Sequence, residues 1–222
     1  CCDSRQPQAS GCRLQAFFMK FTPELSFSGG RVRPLTYDDA DALFELYQHP
    51  ELPGQRVLDT KDNLIRMVDL SVQMAATQRG MMWALEVDGA IIGMVSAFDW
   101  QPSLLRTMLR VDGLPQLTLA QRSAALQVCM DFMAQKCHLR NFGYQWIEGQ
   151  NEEFKTMLTE LGFKQSAVMR DAWRSGEHSF ANVVQFNLVL DKKKPVAGRL
   201  GEDSDINPGQ NLNADNSNGG VA

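Results

Sequence analysis

Candidate residues for proton transfer lie in and just after the apolar segment "FGYQWIE" (residues 142–148). Glu148 closes this segment, and a partly buried carboxylate there could take up a proton directly or through water. The alternative is a solvated glutamate at the end of a strand. Tyr144 carries a hydroxyl that could supply a proton. Asn151 either binds a ligand or only caps the helix that it begins.

A second candidate site lies where a long predicted helix begins, in the stretch "LTLAQRS" (residues 117–123). Thr118 is a favourable N-cap residue, and the amides of a first helical turn attract anions through the helix dipole. Arg122 adds a positive charge close by. The stretch contains no glycine, so side chains hinder the close approach of a ligand to those amides.

Strands and helices in alternation must position these two stretches. Asp88-Gly89 separates two β-rich runs and predicts a tight hairpin turn, and a second hairpin is expected around residues 175–177. Thr36 and Asp39 match a capping box at the start of a helix. The predicted order is β-α-α-β-β-β-α-β-α-β-β. Because hairpins require antiparallel pairs and a helical crossover implies a parallel pair, the sequence predicts a mixed sheet in an α/β domain.

Side-chain periodicity predicts which faces are buried. In the first predicted strand Arg31 and Arg33 share one face and Val32 lies on the other. In the helical segment 61–79 one stripe of apolar residues should face the core. This stripe consists of Leu64, Ile65, Val68 and Val72.

Composition narrows the function classes. The chain has 222 residues, 44% hydrophobic content and a formal net charge of −4, so no global basic surface for nucleic acid or an anionic membrane is expected. No stretch of about 18 apolar residues predicts a spanning helix. Of the five cysteines, none forms a CxxC pair, so we expect no metal and a reduced, cytoplasmic setting.

The ends of the chain differ in composition from its middle. Residues 192–222 are rich in Asn, Gly, Asp and Pro and contain no aromatic residue, which predicts a disordered tail. Residues 1–26 are expected to be a poorly ordered N-terminal tail. The predicted folded domain is therefore 27–191.

Two parts of the sequence resemble the GNAT superfamily of acetyl-CoA-dependent N-acetyltransferases, over about residues 30–190. They are "VRPLTYDDADALFELYQHPE" and "NEEFKTMLTELGFKQSAVMRDAWRSGEHSFANVVQFNLVL". The likeness is greatest to the branch that acetylates the N-terminal amine of ribosomal proteins, such as the ribosomal-protein alanine N-acetyltransferases. The resemblance implies a mostly antiparallel sheet flanked by helices, in which the strands ending near Val111 and Glu148 splay into a V. It also implies acetyl-CoA as the acyl donor.

The resemblance implies roles for particular residues. The splayed strand and the thiol end of the donor site would be formed by Trp146, Ile147, Asn151 and Phe154, and the pyrophosphate loop by Leu117, Thr118, Leu119, Arg122 and Ser123. Asp99 and Trp100 would line the acceptor pocket, although a plain loop explains them equally well. The acceptor would be a small primary amine or a protein N-terminus, and the protein a monomer or a homodimer.

This sequence departs from the family pattern at three places. The loop lacks the usual glycines, Phe154 stands where the N-terminal acetyltransferase branch commonly has Ser, and Leu158 stands where other branches have Tyr. Glu148 as base and Tyr144 as acid are the remaining candidates for proton transfer. Two alternatives remain open: a catalytically inactive GNAT-fold scaffold that binds a protein or small ligand, and an unrelated mixed α/β binding domain.

Overall fold

An eight-stranded mixed sheet is the centre of the computed structural model, which describes residues 21–48 and 60–191. The strands are β1 Leu25–Phe27, β2 Gly30–Pro34, β3 Met81–Val87, β4 Ala90–Gln101, β5 Arg106–Gly113, β6 Asn141–Ile147, β7 Lys164–Arg174 and β8 Phe180–Val189. The helices are α1 Ala40–Gln48, α2 Asp62–Ala76, α3 Leu119–Lys136 and α4 Glu152–Glu160. The predicted C-terminal tail and most of the predicted N-terminal tail lie outside the described residues.

The strand order is β1-β2-β3-β4-β5-β6-β8-β7. The pair β5–β6 is parallel and the other neighbouring pairs are antiparallel. Helix α3 supplies the crossover that a parallel pair requires. The predicted mixed, mostly antiparallel sheet flanked by helices is thus confirmed.

Strand β1 was not expected from the sequence. It pairs with β2 and extends the sheet into the segment predicted to be a tail. Just before it, the backbone carbonyl of Pro23 accepts a hydrogen bond of 3.0 Å from the indole N–H of Trp83. A three-residue strand gives too short a pattern to be recognised, because its stability comes from pairing rather than from its own sequence.

Helix α1 begins at the predicted capping box. The backbone N–H of Thr36 donates to the carboxylate of Asp39 at 2.7 Å, and Arg33 donates to the same carboxylate at 2.8 Å. Arg31 and Arg33 both bind Glu86 on β3, which confirms that they share a face of β2. The start of the helix is therefore tied to the sheet.

Helix α2 turns a different face to the core than the sequence predicted. Ile65 and Val72 are 41% and 60% exposed, so their assignment to the core was wrong. The buried face consists of Leu64, Val68, Ser71 and Ala75. The small residues at its end allow the helix to approach the sheet closely, which apolarity alone does not indicate. Within residues 21–48 and 60–191, no helix is both long and apolar enough to span a membrane.

Candidate functional site

The parallel strands β5 and β6 separate halfway along their length. Their pairing runs from Arg106↔Asn141 to Leu109↔Tyr144 and then stops. Strand β5 nevertheless stays paired with β4 as far as Gly113, and β6 stays paired with β8 as far as Ile147. The two strands therefore part, and a cavity of about 600 Å³ lies at the opening. The expected V-shaped splay is present.

The hydroxyl of Tyr144 lies between the separating strands. It accepts a hydrogen bond of 3.3 Å from the backbone N–H of Val111 on β5. Its ring packs against Phe154 of α4, with the ring centroids 5.3 Å apart. Burial, and secondarily the charge of Asp112, raises the pKa of Tyr144, so its phenol stays protonated at neutral pH. The cavity thus contains a buried, protonated hydroxyl.

The opposite side of the splay ends in a tight turn. The amide oxygen of Gln150 accepts a hydrogen bond of 2.9 Å from the backbone N–H of Ile147. Gly149 adopts a φ of +94° there, a conformation that favours glycine. Asn151 then caps α4 by accepting from the backbone N–H of Glu153 at 2.9 Å. Ile147, Gln150 and Asn151 all line the cavity.

A partly buried ion pair on β5 forms another part of the cavity wall. The guanidinium Nε of Arg110 lies 2.8 Å from the carboxylate of Asp112. Burial raises the pKa of Asp112, and the nearby positive charge of Arg110 offsets this only partly. A carboxylate with a raised pKa inside a cavity is a candidate for proton transfer.

The start of α3 closes the other end of the cavity. Leu117, Leu119 and Arg122 line it, and Arg122 is only 6% exposed. The Nε of Arg122 donates to the carbonyl of Leu117 at 3.4 Å. A side chain at Gly113 would come within 2.9 Å of the guanidinium, so the glycine leaves room for it. The positive charge predicted for this helix start therefore points into the fold.

The capping box of α3 occupies two of the backbone amides that could otherwise bind an anion at the start of this helix. The backbone N–H of Gln121 donates to the Thr118 hydroxyl at 3.2 Å, and the backbone N–H of Thr118 donates to the Gln121 side chain at 3.0 Å. The amides of Leu119 and Ala120 have no acceptor within a helix at these positions. Thr118 does not line the cavity. Its structural role as a helix cap accounts for its contacts.

A second groove, of about 700 Å³, runs between α3 and α4. Ser123 lies in it and shares it with the carboxylates of Glu153 and Glu160. Leu119 lines both the groove and the main cavity, so the two lie next to each other at this residue. The negative charges of these two side chains make the groove unfavourable for a negatively charged ligand.

Glu148, the predicted base, lies outside the cavity. Its side chain is exposed and accepts a hydrogen bond of 2.7 Å from Asn182. Trp146 is also outside: it is buried in the core and donates to the carbonyl of Asn151 at 3.3 Å. Their predicted roles have no geometric support, and Trp146 instead helps to hold the start of α4.

Asp99 and Trp100 do not reach the cavity either. The exposed carboxylate of Asp99 accepts from the side chain of Gln101 at 3.1 Å, and Trp100 is buried in the core. The residues that line the cavity on the side away from α3 are Phe98, Trp173 and Val183. Asp99 and Trp100 thus do not line this cavity, whereas Phe98, just before them on β4, does.

Sequence reasoning missed Arg110 and Asp112. The pattern "LRVDG" alternates apolar and charged residues on a strand that is buried on both faces. Opposite charges at positions i and i+2 of a buried strand share one face and compensate each other. That alternation was the sequence signal that could have identified this ion pair.

Comparison with solved structures identifies known proteins that share this fold. No protein-family model matches the sequence, and no curated protein is similar to it at a significant level. The ribosomal-protein-S5-alanine acetyltransferase from Vibrio fischeri superposes with a TM-score of 0.68 at 16% identity, covering 78% of this chain and 100% of the other. RimL, a ribosomal L7/L12 α-N-protein acetyltransferase in complex with coenzyme A, gives 0.67 at 13% identity, with 76% and 98% covered.

A third solved structure is similar to the same extent. The microcin C7 self-immunity acetyltransferase MccE, in complex with acetyl-CoA and AMP, gives a TM-score of 0.64 at 11% identity, with 73% and 93% covered. At identities of 11–16% the likeness shows the fold alone. The chain has the fold of these acetyltransferases, as the sequence resemblance implied.

Proposed function

We propose that this protein is an acetyl-CoA-dependent N-acetyltransferase that acts on a primary amine. The observation that carries the proposal is the splay, where pairing stops at Leu109↔Tyr144 and a cavity of about 600 Å³ opens between two strands. The overall fold is shared with solved acetyltransferases, two of which contain coenzyme A or acetyl-CoA. Fold likeness raises the expectation of acetyl transfer, and the site residues supply the specific argument.

The cavity fits the pantetheine arm better than the pyrophosphate. The arm is a narrow chain with amide groups, which suits an opening edged by the backbone of β5 and β6 and walled by Leu109, Ile147 and Phe154. Arg122 and the amides of Leu119 and Ala120 would hold the pyrophosphate. Without glycine in this loop, side chains limit how closely phosphates approach.

Acetyl-CoA would supply the activated acetyl group. Asp112, as a buried carboxylate with a raised pKa, would accept the proton that the amine loses. The protonated hydroxyl of Tyr144 would donate a proton to the departing thiolate. Arg110 would hold the Asp112 carboxylate in place through their 2.8 Å contact.

The acceptor end of the cavity is lined with aromatic and apolar side chains. These side chains are Phe98, Trp173 and Val183, and Asp112 is the one carboxylate among the described residues that line the cavity. Because Arg110 pairs with this carboxylate, the site suits a neutral primary amine that gives up one proton. A protein N-terminus is the acceptor we favour, because the similar structures include acetyltransferases of ribosomal proteins.

A second candidate function is binding without catalysis, in an inactive scaffold with this fold. It is favoured by the capping box at Thr118, which already satisfies two amides at the start of α3. It is also favoured by Phe154, which occupies the position of a hydroxyl donor in related sequences. On this alternative, the cavity would hold a ligand but promote no acyl transfer.

Calorimetry followed by an activity assay separates the two functions. The full chain is titrated with acetyl-CoA and with CoA, and thiol release is then followed with peptides that bear a free or a blocked N-terminal amine. If the protein is an acetyltransferase, both ligands should bind, and thiol should be released only with free amines. Binding without thiol release for any amine favours the scaffold, and the absence of CoA binding contradicts the proposed donor.

A further inference from the structure

Two backbone amides that face the splay already have side-chain partners. Val111 lies two residues beyond Leu109, the last residue of β5 that pairs with β6, and its N–H points across the opening to the Tyr144 hydroxyl at 3.3 Å. On the other strand the N–H of Ile147 is bound by Gln150 at 2.9 Å. Where a continuous sheet would place backbone carbonyls, this chain places a phenol and a carboxamide.

A buried backbone amide without an acceptor is costly, so some group must satisfy each of these amides. A chain with amide carbonyls that enters the opening would offer the same acceptors. It could do so only after the side-chain acceptors had moved aside.

We propose that Tyr144 and Gln150 compete with the acyl donor for the backbone amides of Val111 and Ile147. Donor binding would then exchange one set of hydrogen bonds for another rather than add new ones. This inference rests on the proposed function, because it takes the donor to be a pantetheine thioester. It assigns two residues that set donor affinity.

The two competitors differ in how firmly they are held. Tyr144 is only 6% exposed and its ring lies against Phe154, so its hydroxyl is fixed by packing. Gln150 is partly exposed and is anchored by a short loop, so it can turn outward at little cost. Displacement at Val111 should therefore cost more affinity than displacement at Ile147.

The exchange also selects the donor. A thioester whose carrier has amide carbonyls at the spacing of a strand can replace both acceptors. A simple alkyl thioester has a single carbonyl and can replace at most one of them, which would leave the other buried amide unsatisfied once its side chain had moved aside. The expected ligand class is therefore an extended, amide-containing thiol carrier.

The test compares CoA binding by the wild-type chain, Tyr144→Phe and Gln150→Ala, using calorimetry. Tyr144→Phe keeps the ring packing but removes the acceptor, so the dissociation constant for CoA should fall by about 2- to 10-fold, the ratio that one net hydrogen bond represents. Gln150→Ala should lower it by a smaller factor. Tyr37→Phe, at an exposed tyrosine bound to Asp69, serves as the matched control and should leave the constant unchanged.

Two further readings distinguish displacement from a purely structural role. Tyr144→Phe should unfold at a lower temperature than wild type without CoA, and saturating CoA should raise its melting temperature by more than it raises that of wild type. Its KM for acetyl-CoA should fall while its kcat also falls, because the same hydroxyl is the proposed proton donor. A merely destabilising change would not lower KM.

Each outcome decides the question. Tighter binding by Tyr144→Phe supports displacement, including the case in which only the variant binds measurably. If wild type binds CoA and neither variant binds it more tightly, displacement is wrong while the proposed function stands. If no form binds CoA, the proposed donor and the displacement fail together. Should Tyr144→Phe not fold, the variant Gln150→Ala, in the turn after β6, gives the same decision.

Discussion

The two ends of the cavity satisfy their backbone amides in different ways. At the splay, the N–H of Val111 is bound by a hydroxyl that comes from the neighbouring strand, across the opening. At the start of α3, Thr118 and Gln121 bind each other's amides within a single helical turn. The first arrangement keeps an amide available to a competing ligand. The second stabilises the helix and uses amides that would otherwise bind an anion.

The difference indicates which end contributes more to the affinity for the donor. The splay retains the geometry that an extended chain needs, whereas the helix start lacks glycine and its capping box already binds two of its amides. We therefore expect the pantetheine arm to contribute a larger share of donor affinity than the pyrophosphate does. The same comparison predicts that acetyl-pantetheine is a usable donor.

The largest expected effect is that of Asp112→Asn, which tests whether the splay end carries the chemistry. If Asp112 accepts the amine proton, kcat/KM should fall by about 100- to 10,000-fold. In wild type the rate should rise with pH as Asp112 loses its proton. Because burial raises the pKa of Asp112, this rise should lie above the ordinary range of an aspartate near pH 4. The variant should lack that acid limb.

Glu148→Gln is the control for this prediction. Glu148 is exposed and bound to Asn182, so its removal should leave kcat within about 2-fold of wild type. A large loss of kcat/KM in Glu148→Gln together with a small loss in Asp112→Asn would show that Glu148, and not Asp112, is the base. CoA binding by Asp112→Asn checks that loss of the Arg110–Asp112 ion pair has not disrupted the fold.

The second prediction concerns the charge at the helix end. Arg122→Gln removes the guanidinium proposed to hold the pyrophosphate. Since a hydrogen bond to a charged group is worth about 1.5–3 kcal/mol, CoA affinity should fall by about 10- to 100-fold. The affinity for acetyl-pantetheine, which carries no phosphate, should change far less. Lys136→Gln, in the last turn of the same helix, should affect neither ligand.

Local signals predicted most of the fold. The Asp88-Gly89 turn adopts positive φ at both residues, and both predicted caps at Thr36 and Thr118 are present, because these features depend on residues close in sequence. The strand β1 was missed because three residues give too short a pattern, although its partner β2 follows directly in the chain. Val72 was placed in the core because it lies at helical spacing from Leu64 and Val68, but the buried face turns toward Ser71 and Ala75 instead.

The site was harder to predict than the fold. Tyr144, Ile147 and Asn151 line the cavity as expected, because the resemblance placed them on the splayed strand and its turn. Glu148 was chosen as base because it ends an apolar strand, but burial decides that role, and burial depends on which strands pair. Asp112 acquires its raised pKa from such tertiary burial.

The third prediction tests whether the missing glycine limits donor binding. Ala120→Gly removes an exposed side chain beside one of the remaining amides at the start of α3. CoA should bind a few-fold more tightly, and acetyl-pantetheine should bind as before. Ala124→Gly, one turn later, removes the same methyl where the amide is already bonded within the helix, so it should not strengthen binding. Equal changes in both variants would mean that helix flexibility, not amide access, sets the affinity.

The smallest expected effect is that of Thr118→Ala, which tests whether the helix start serves stability more than binding. Loss of an N-cap costs about 1 kcal/mol, so the melting temperature should fall by about 2–4 °C in a domain of this size. Acetyl-pantetheine affinity should stay unchanged, because the splay's amides are bound by Tyr144 and Gln150 and not by the cap. A fall in acetyl-pantetheine affinity that accompanies the loss of stability would show that the two ends are coupled. The cap of α3 would then belong to the binding site, and the contrast between the two ends would not hold.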